Sequence, residues 1–156
     1  MIIRLTALFF LVIAVSSCTH KQGAEYYELN EKIAQRWSEI ISDSLDISGF
    51  DFCDLLPEAD WDSVLIIPPF TPMDKISSLN LSNVNKVTGK LKGVSITDHK
   101  VGALFIEENA IVFYSLLDRR LDFSLISSFD KEECTHLRIV ERSNEGQPSY
   151  VVLLND

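Results

Sequence analysis

The chain has 156 residues, 46% hydrophobic, 24% charged and 10% aromatic, with only 6 Gly and 5 Pro. This excludes a collagen-like or low-complexity chain, argues against wholesale disorder, and suits one domain. The formal charge of −9, from 23 acids and 14 bases, argues against a nucleic-acid partner, because binding phosphates takes concentrated Lys and Arg.

Met1-Ile2-Ile3-Arg4 carries one positive charge, and residues 5–15 are an apolar run broken only by Thr6. A bilayer span takes about 20 apolar residues, so the run has the length of a signal-peptide core instead. Next comes Val15-Ser16-Ser17-Cys18: an aliphatic residue, two small residues and a cysteine. All four positions resemble the lipobox of bacterial lipoproteins. The resemblance implies cleavage before Cys18, a diacylated Cys18 thiol, and often an acylated amine as well. The alternative is an ordinary secretory signal with a chance cysteine. Residues 1–17 are then the signal peptide, 18–24 the lipidated cysteine and tether, and 25–156 one globular domain.

Two or three acyl chains, at about 0.8 kcal/mol per buried methylene, anchor stably where one does not. Loss of Arg4 takes the formal charge from −9 to −10. That charge repels anionic headgroups, so the lipid and not a basic patch is expected to hold the protein to its membrane. The tether, Thr19-His20-Lys21-Gln22-Gly23-Ala24, reaches about 20 Å and keeps the domain close. It lacks the acidic residues that mark surface export in some bacterial groups, which points to the periplasmic side of the cell envelope.

Tyr26, Leu29, Ile33, Trp37, Ile40, Ile41 and Leu45 recur at spacings of three and four, which predicts a long amphipathic helix over 25–45. Residues 46–61 are irregular, with Phe50, Phe52, Leu55 and Leu56 expected in the core. Asp62-Ser63-Val64-Leu65-Ile66-Ile67-Pro68-Pro69-Phe70 then reads as a strand, which Pro68-Pro69 ends because neither can donate to a ladder. Thr71 is expected to cap a helix with Pro72 in its first position and Asp74 at its positive end. Its period runs through Ile76, Leu79, Val84 and Val87 towards Gly89, with a break near 80–83.

Residues 101–107 and 110–116 flank Glu108-Asn109 as a hairpin, and 135–142 and 149–154 form a second one. Residues 119–129 are ambiguous between a short helix and an extended connection. The fold class is α+β: a long N-terminal helix and a short second helix on a mainly antiparallel sheet of about five strands.

Trp61-Asp62-Ser63-Val64-Leu65-Ile66-Ile67-Pro68-Pro69-Phe70 resembles a motif in small bacterial secreted or lipid-anchored proteins. They carry a Trp-Asp-x-Val strand ending in Pro and an aromatic residue, and then a short helix; a later apolar hairpin resembles Leu104-Phe105-Ile106 and Ile111-Val112-Phe113. The group is uncharacterised, so the resemblance implies no catalytic residues. Trp61 is expected to anchor the start of the strand in the core, and Asp62 to cap or turn the backbone before it.

Cys53 and Cys134 are the only cysteines beyond Cys18, and an oxidising envelope makes them a candidate disulfide. The alternative is two buried, unpaired thiols. Cys134-x-His136 would project two side chains from one strand face, but no metal-binding motif accompanies them. Asp51, Asp54, Asp60 and Asp62 lie close without the spacing of a calcium loop. No catalytic residue, metal or cofactor is assigned.

Residues 25–62 hold eleven acids and two bases, whereas Lys86, Lys90, Lys92 and Lys100 surround an expected loop. An uneven acidic surface speeds association with a basic partner. The functional expectation is a lipid-anchored, non-enzymatic envelope protein that binds a protein or peptide. An immunity or inhibitor lipoprotein and a small envelope hydrolase are the alternatives.

Overall fold

A mixed sheet is built from β1 (Glu25–Tyr26), β2 (Ser63–Ile67), β3 (Lys100–Glu107), β4 (Ala110–Asp118) and β5 (Ser128–Asp130), in the order β1-β4-β3-β2-β5. The computed structural model describes residues 23–42, 52–144 and 147–154. The expected signal peptide, Cys18, tether residues 19–22, Leu45, Phe50 and Asp51 lie outside the described residues. β6 (Leu137–Asn144) and β7 (Gln147–Leu154) form a separate antiparallel pair. The α+β class read from the sequence is the class observed.

The β3–β4 hairpin sits at the centre. Glu108 and Asn109 both take left-handed backbone, φ 46° and 73°, the geometry that matches the twist of the flanking strands. Phe105 pairs with Phe113 but Ile106 with Ile111, so Val112 is an extra residue in a β-bulge. Helices or loops cover both faces of the sheet, which is why β2 reads as a nearly unbroken apolar run.

Val64, Ile66, Val101, Ala103 and Phe105 face a core closed by Leu29, Ile33 and Ile40 of α1 (Leu29–Ser42). Phe52, Leu55, Leu56 and Trp61 of the 52–61 segment, and Leu137 and Val152 of the second hairpin, complete it. Phe105 is its hub, with Tyr27, Trp61 and Phe113 presented edge-on at 5.9, 5.7 and 6.4 Å between ring centroids. Each such pair adds about 0.5–1.5 kcal/mol beyond area burial. The alternate side chains Ile67, Leu104, Ile111 and Tyr114 face a second core. It is closed by Ile76 of α2 (Met73–Ser77), Val84 and Val87 of α3 (Val84–Thr88), Leu91, and Val94 of α4 (Lys92–Ile96).

Several expectations are corrected. The helix expected from residue 25 begins at Leu29, because Glu25 and Tyr26 pair in parallel with Phe113 and Tyr114 as β1, which also makes the sheet mixed. Thr71 does not cap a helix: its hydroxyl donates to the Pro68 carbonyl at 2.7 Å, and Pro72 precedes the first turn of α2. Helical structure does not stop at Gly89, which adopts right-handed helical backbone (φ −63°), and the chain runs on through a tight turn into α4. Lys86, Lys90 and Lys92 therefore sit on a helical layer and not in a loop. Residues 119–129 form no helix: turns at 119–120 and 124–125 lie either side of an isolated bridge from Asp122 to Val151, and β5 begins at Ser128. No described helix is long and apolar enough to cross a membrane.

Candidate binding surface

The two helical layers carry opposite charge. Along α1 and the 52–61 segment, Leu29, Ile33, Ile40, Leu55 and Leu56 point into the core. The acids Glu28, Glu31, Glu39, Asp54, Glu58 and Asp60 fall on the other side, at or near the surface. On the far side of the sheet, Lys75, Lys86, Lys90 and Lys92 are exposed, and residues 75–97 contain no acid.

A hollow of about 290 Å³ opens in the acidic layer, lined by Tyr27, Lys32, Asp54, Leu56, Pro57, Glu58, Ala59 and Phe113. The Tyr27 hydroxyl donates to the Leu55 carbonyl at 2.8 Å, tying the foot of α1 to the 52–61 segment. Lys32 Nζ lies 5.0 Å from the centre of the Tyr27 ring. The floor is thus apolar and aromatic, with the carboxylates of Asp54 and Glu58 and the Lys32 ammonium around it, so a partner's side chain would meet two acids and one base here. Outside the hollow, beside Tyr114, burial pushes the Tyr26 phenol above its ordinary value of 10.0, and the Glu28 and Glu31 carboxylates push it the same way.

Cys53 and Cys134 are joined, with sulfurs 2.05 Å and Cα atoms 5.7 Å apart, across a separation of 81 residues. The bridge fastens the acidic segment to the turn before β6. Cys134 and His136 do not share a strand face: both lie in a tight helical turn, Glu133–His136, with Cys134 buried and His136 exposed. Among the described residues, no group of three or more His, Cys, Asp or Glu is placed to hold a metal ion.

Trp61 is buried at the start of β2, as its motif suggests, and its Nε1 donates to the Pro57 carbonyl at 3.0 Å. Lys131 Nζ lies 5.2 Å from its ring centre. Asp62 does not cap its own strand. Its Oδ2 accepts from the Glu108 backbone N–H at 2.9 Å, on the neighbouring hairpin turn. Pro68 and Pro69 end β2, and the Pro68 carbonyl accepts from Thr71 across Phe70, which is held at φ 59° and is 60% exposed. The sequence reading missed this exposed Phe70. A bulky residue in left-handed backbone is uncommon enough to mark the position, but nothing in the sequence announces the angle.

A second cleft of about 290 Å³ lies beside that turn, between Ile66, Pro68, Pro69, Phe70, Val101 and the segment Arg119, Asp122, Phe123, Ser124. Asp122 Oδ1 is 3.8 Å from Arg119 Nη2 and accepts from the Ser124 backbone N–H at 2.9 Å, so its charge is partly engaged within the fold. At the opposite side of Arg119, Asp118 bonds Lys100 and Asn30. The Lys100 hydrogen bond, with Asn30 assisting, holds the Asp118 carboxyl below its ordinary value of 3.8 against the opposing effect of burial.

Set against protein-family models, curated proteins and solved structures, the chain matches none of them significantly.

Proposed function

We propose that this chain is a bacterial lipoprotein, fastened to a membrane of the cell envelope through acylated Cys18 and facing the periplasm. Its domain is non-enzymatic and binds a basic protein or peptide through the acidic layer of α1 and the 52–61 segment. The membrane is one partner, through the lipid, and the basic protein is the other.

The observation that carries the binding half is the hollow rimmed by Asp54 and Glu58, set in a surface where Glu28, Glu31, Glu39 and Asp60 outnumber Lys32 and Arg36, the latter paired with Glu39 at 3.2 Å. Rim charges of one sign raise association rates and lose that effect in salt, while an apolar floor supplies residence time. The anchoring half rests on the leader and the four residues ending at Cys18.

The test is affinity capture from envelope extract, with the full chain beside the variant Asp54→Asn, Glu58→Gln, Glu28→Gln. The wild type is expected to capture a basic partner saturably at low salt. Capture falls roughly tenfold in the variant, and similarly in about 0.5 M salt. No saturable partner at either salt, or a partner indifferent to the three substitutions, contradicts the reading.

A further inference from the structure

We infer that the layer of α2, α3 and α4 is the face turned towards the bilayer, seated on anionic phospholipid headgroups. The inference rests on the lipid-anchored reading and adds the orientation of the domain.

Three observations meet on this layer. The first is charge. Lys75, Lys86, Lys90 and Lys92 are exposed on it against one exposed acid, Asp74 in the first turn of α2. The second is apolar tips set among those lysines. Ile96 is 64% exposed and lies four residues after Lys92, on the outer side of α4 opposite buried Val94. Phe70 is 60% exposed, and its backbone N–H donates to the Val94 carbonyl at 2.8 Å, which keeps the ring beside α4. Lysines with an aromatic and an aliphatic tip are the composition of a surface that rests at the headgroup level. The third is where the chain arrives. Ala24 packs against the core beneath this same layer, so the tether reaches the domain from the basic side. Cys18 is six residues earlier, a reach of about 20 Å, which holds that side at the membrane.

The net charge of −10 does not oppose this arrangement. The acidic layer lies across the sheet and beyond a helical layer about 10 Å thick, more than the screening length of about 8 Å at physiological salt. A headgroup touching Lys90 and Lys92 therefore meets the basic layer and little of the acidic one. The acyl chains hold the protein, and the lysines choose which way it faces.

The experiment takes the full chain, purified from membranes of an expressing bacterium and incorporated into vesicles. One set is phosphatidylcholine alone, and the other carries about 30% phosphatidylglycerol. Lysines are labelled with a membrane-impermeant amine reagent and mapped by mass spectrometry. Lys75, Lys90 and Lys92 are expected to label at least about fivefold more slowly on the anionic vesicles, while Lys32 and Lys131 label equally on both. Salt of about 0.5 M removes the protection but leaves the protein on the vesicles. In the variant Lys75→Gln, Lys90→Gln, Lys92→Gln, Lys86 loses its protection.

Vesicle-bound protein whose lysines all label alike overturns the orientation and leaves the anchor standing. Protein held only by phosphatidylglycerol, released by salt and still protected at Lys75, Lys90 and Lys92, supports the orientation and retires the anchor. Protein bound to neither vesicle overturns both.

Discussion

The Asp62 carboxylate accepts a hydrogen bond from the Glu108 backbone N–H, 2.9 Å away across 46 residues of chain. The same residue uses its backbone on both sides. Its N–H donates to the Ile106 carbonyl at 2.7 Å, and its carbonyl accepts from Lys131 at 3.0 Å. Asp62 thus joins three strands at one end of the sheet, where Glu108 and Asn109 hold left-handed angles. Asp62→Ala is expected to lower stability by about 1 kcal/mol, the worth of one exposed hydrogen bond to a charged acceptor after solvent competition, and Asp62→Asn to recover most of it. Urea unfolding of the two variants measures the difference; equal loss in both would mean that the acceptor oxygen is not what matters.

The disulfide is the largest single stabilising constraint in the account. Closing a loop of about 80 residues is worth up to about 4.5 kcal/mol through the unfolded chain. Cys53→Ala with Cys134→Ala is expected to lower Tm sharply, and reductant to do the same to the wild type but not to the variant. A melting curve unmoved by reductant would contradict the bridge.

Ser115 is fully buried on β4 opposite Ala103, and its hydroxyl has no hydrogen-bond partner among the described residues. A buried hydroxyl without a partner costs about 1–3 kcal/mol. Ser115→Ala is therefore expected to raise stability by about 1 kcal/mol, read as a higher denaturation midpoint at unchanged slope. A loss of stability would show that the hydroxyl is satisfied.

Asp118 links the start of α1 to the sheet. Its Oδ2 accepts from Asn30 Nδ2 at 3.1 Å, its backbone N–H donates to Asn30 Oδ1 at 2.9 Å, and Lys100 binds its other oxygen. The folded carboxyl sits below its ordinary value of 3.8, so its contribution is complete above that value and is lost as pH falls through the lower, folded one. Side-chain exposures of 38% and 39% make the contribution small through solvent screening. Asp118→Asn is expected to flatten stability against pH below about 4 without changing its shape above 6. An acid limb identical to the wild type would remove Asp118 from the account.

The parts of this fold that were legible in sequence are those whose signals are local. Alternation around Glu108-Asn109 marks the central hairpin, and Pro68-Pro69 marks the end of β2. Where partners are distant, the local signal misleads. Tyr26 fits the helical stripe of its neighbours, yet it becomes a strand because Tyr114 offers an edge to pair with. Gly89 looks like a helix stop, but its backbone is right-handed and Leu91 and Val94 continue the core contact. Asn83 gives up capping α3 to bond both backbone groups of Ile111, at 2.8 Å each, a latch no spacing rule reveals. The same holds for the candidate surface. The acidic block over 25–62 is visible in sequence, but only the topology sends the acids of α1 and the 52–61 segment and the lysine-bearing helices to opposite faces of one sheet.

The central claim is that a lipid-modified cysteine begins the mature protein. Intact-mass and N-terminal peptide mass spectrometry of the protein extracted from bacterial membranes tests it most directly. The predicted result is a chain starting at Cys18 and carrying the added mass of a diacylglyceryl group, with or without a further acyl chain on its amine. A retained leader, or a mature protein that begins at any other residue, would contradict the account.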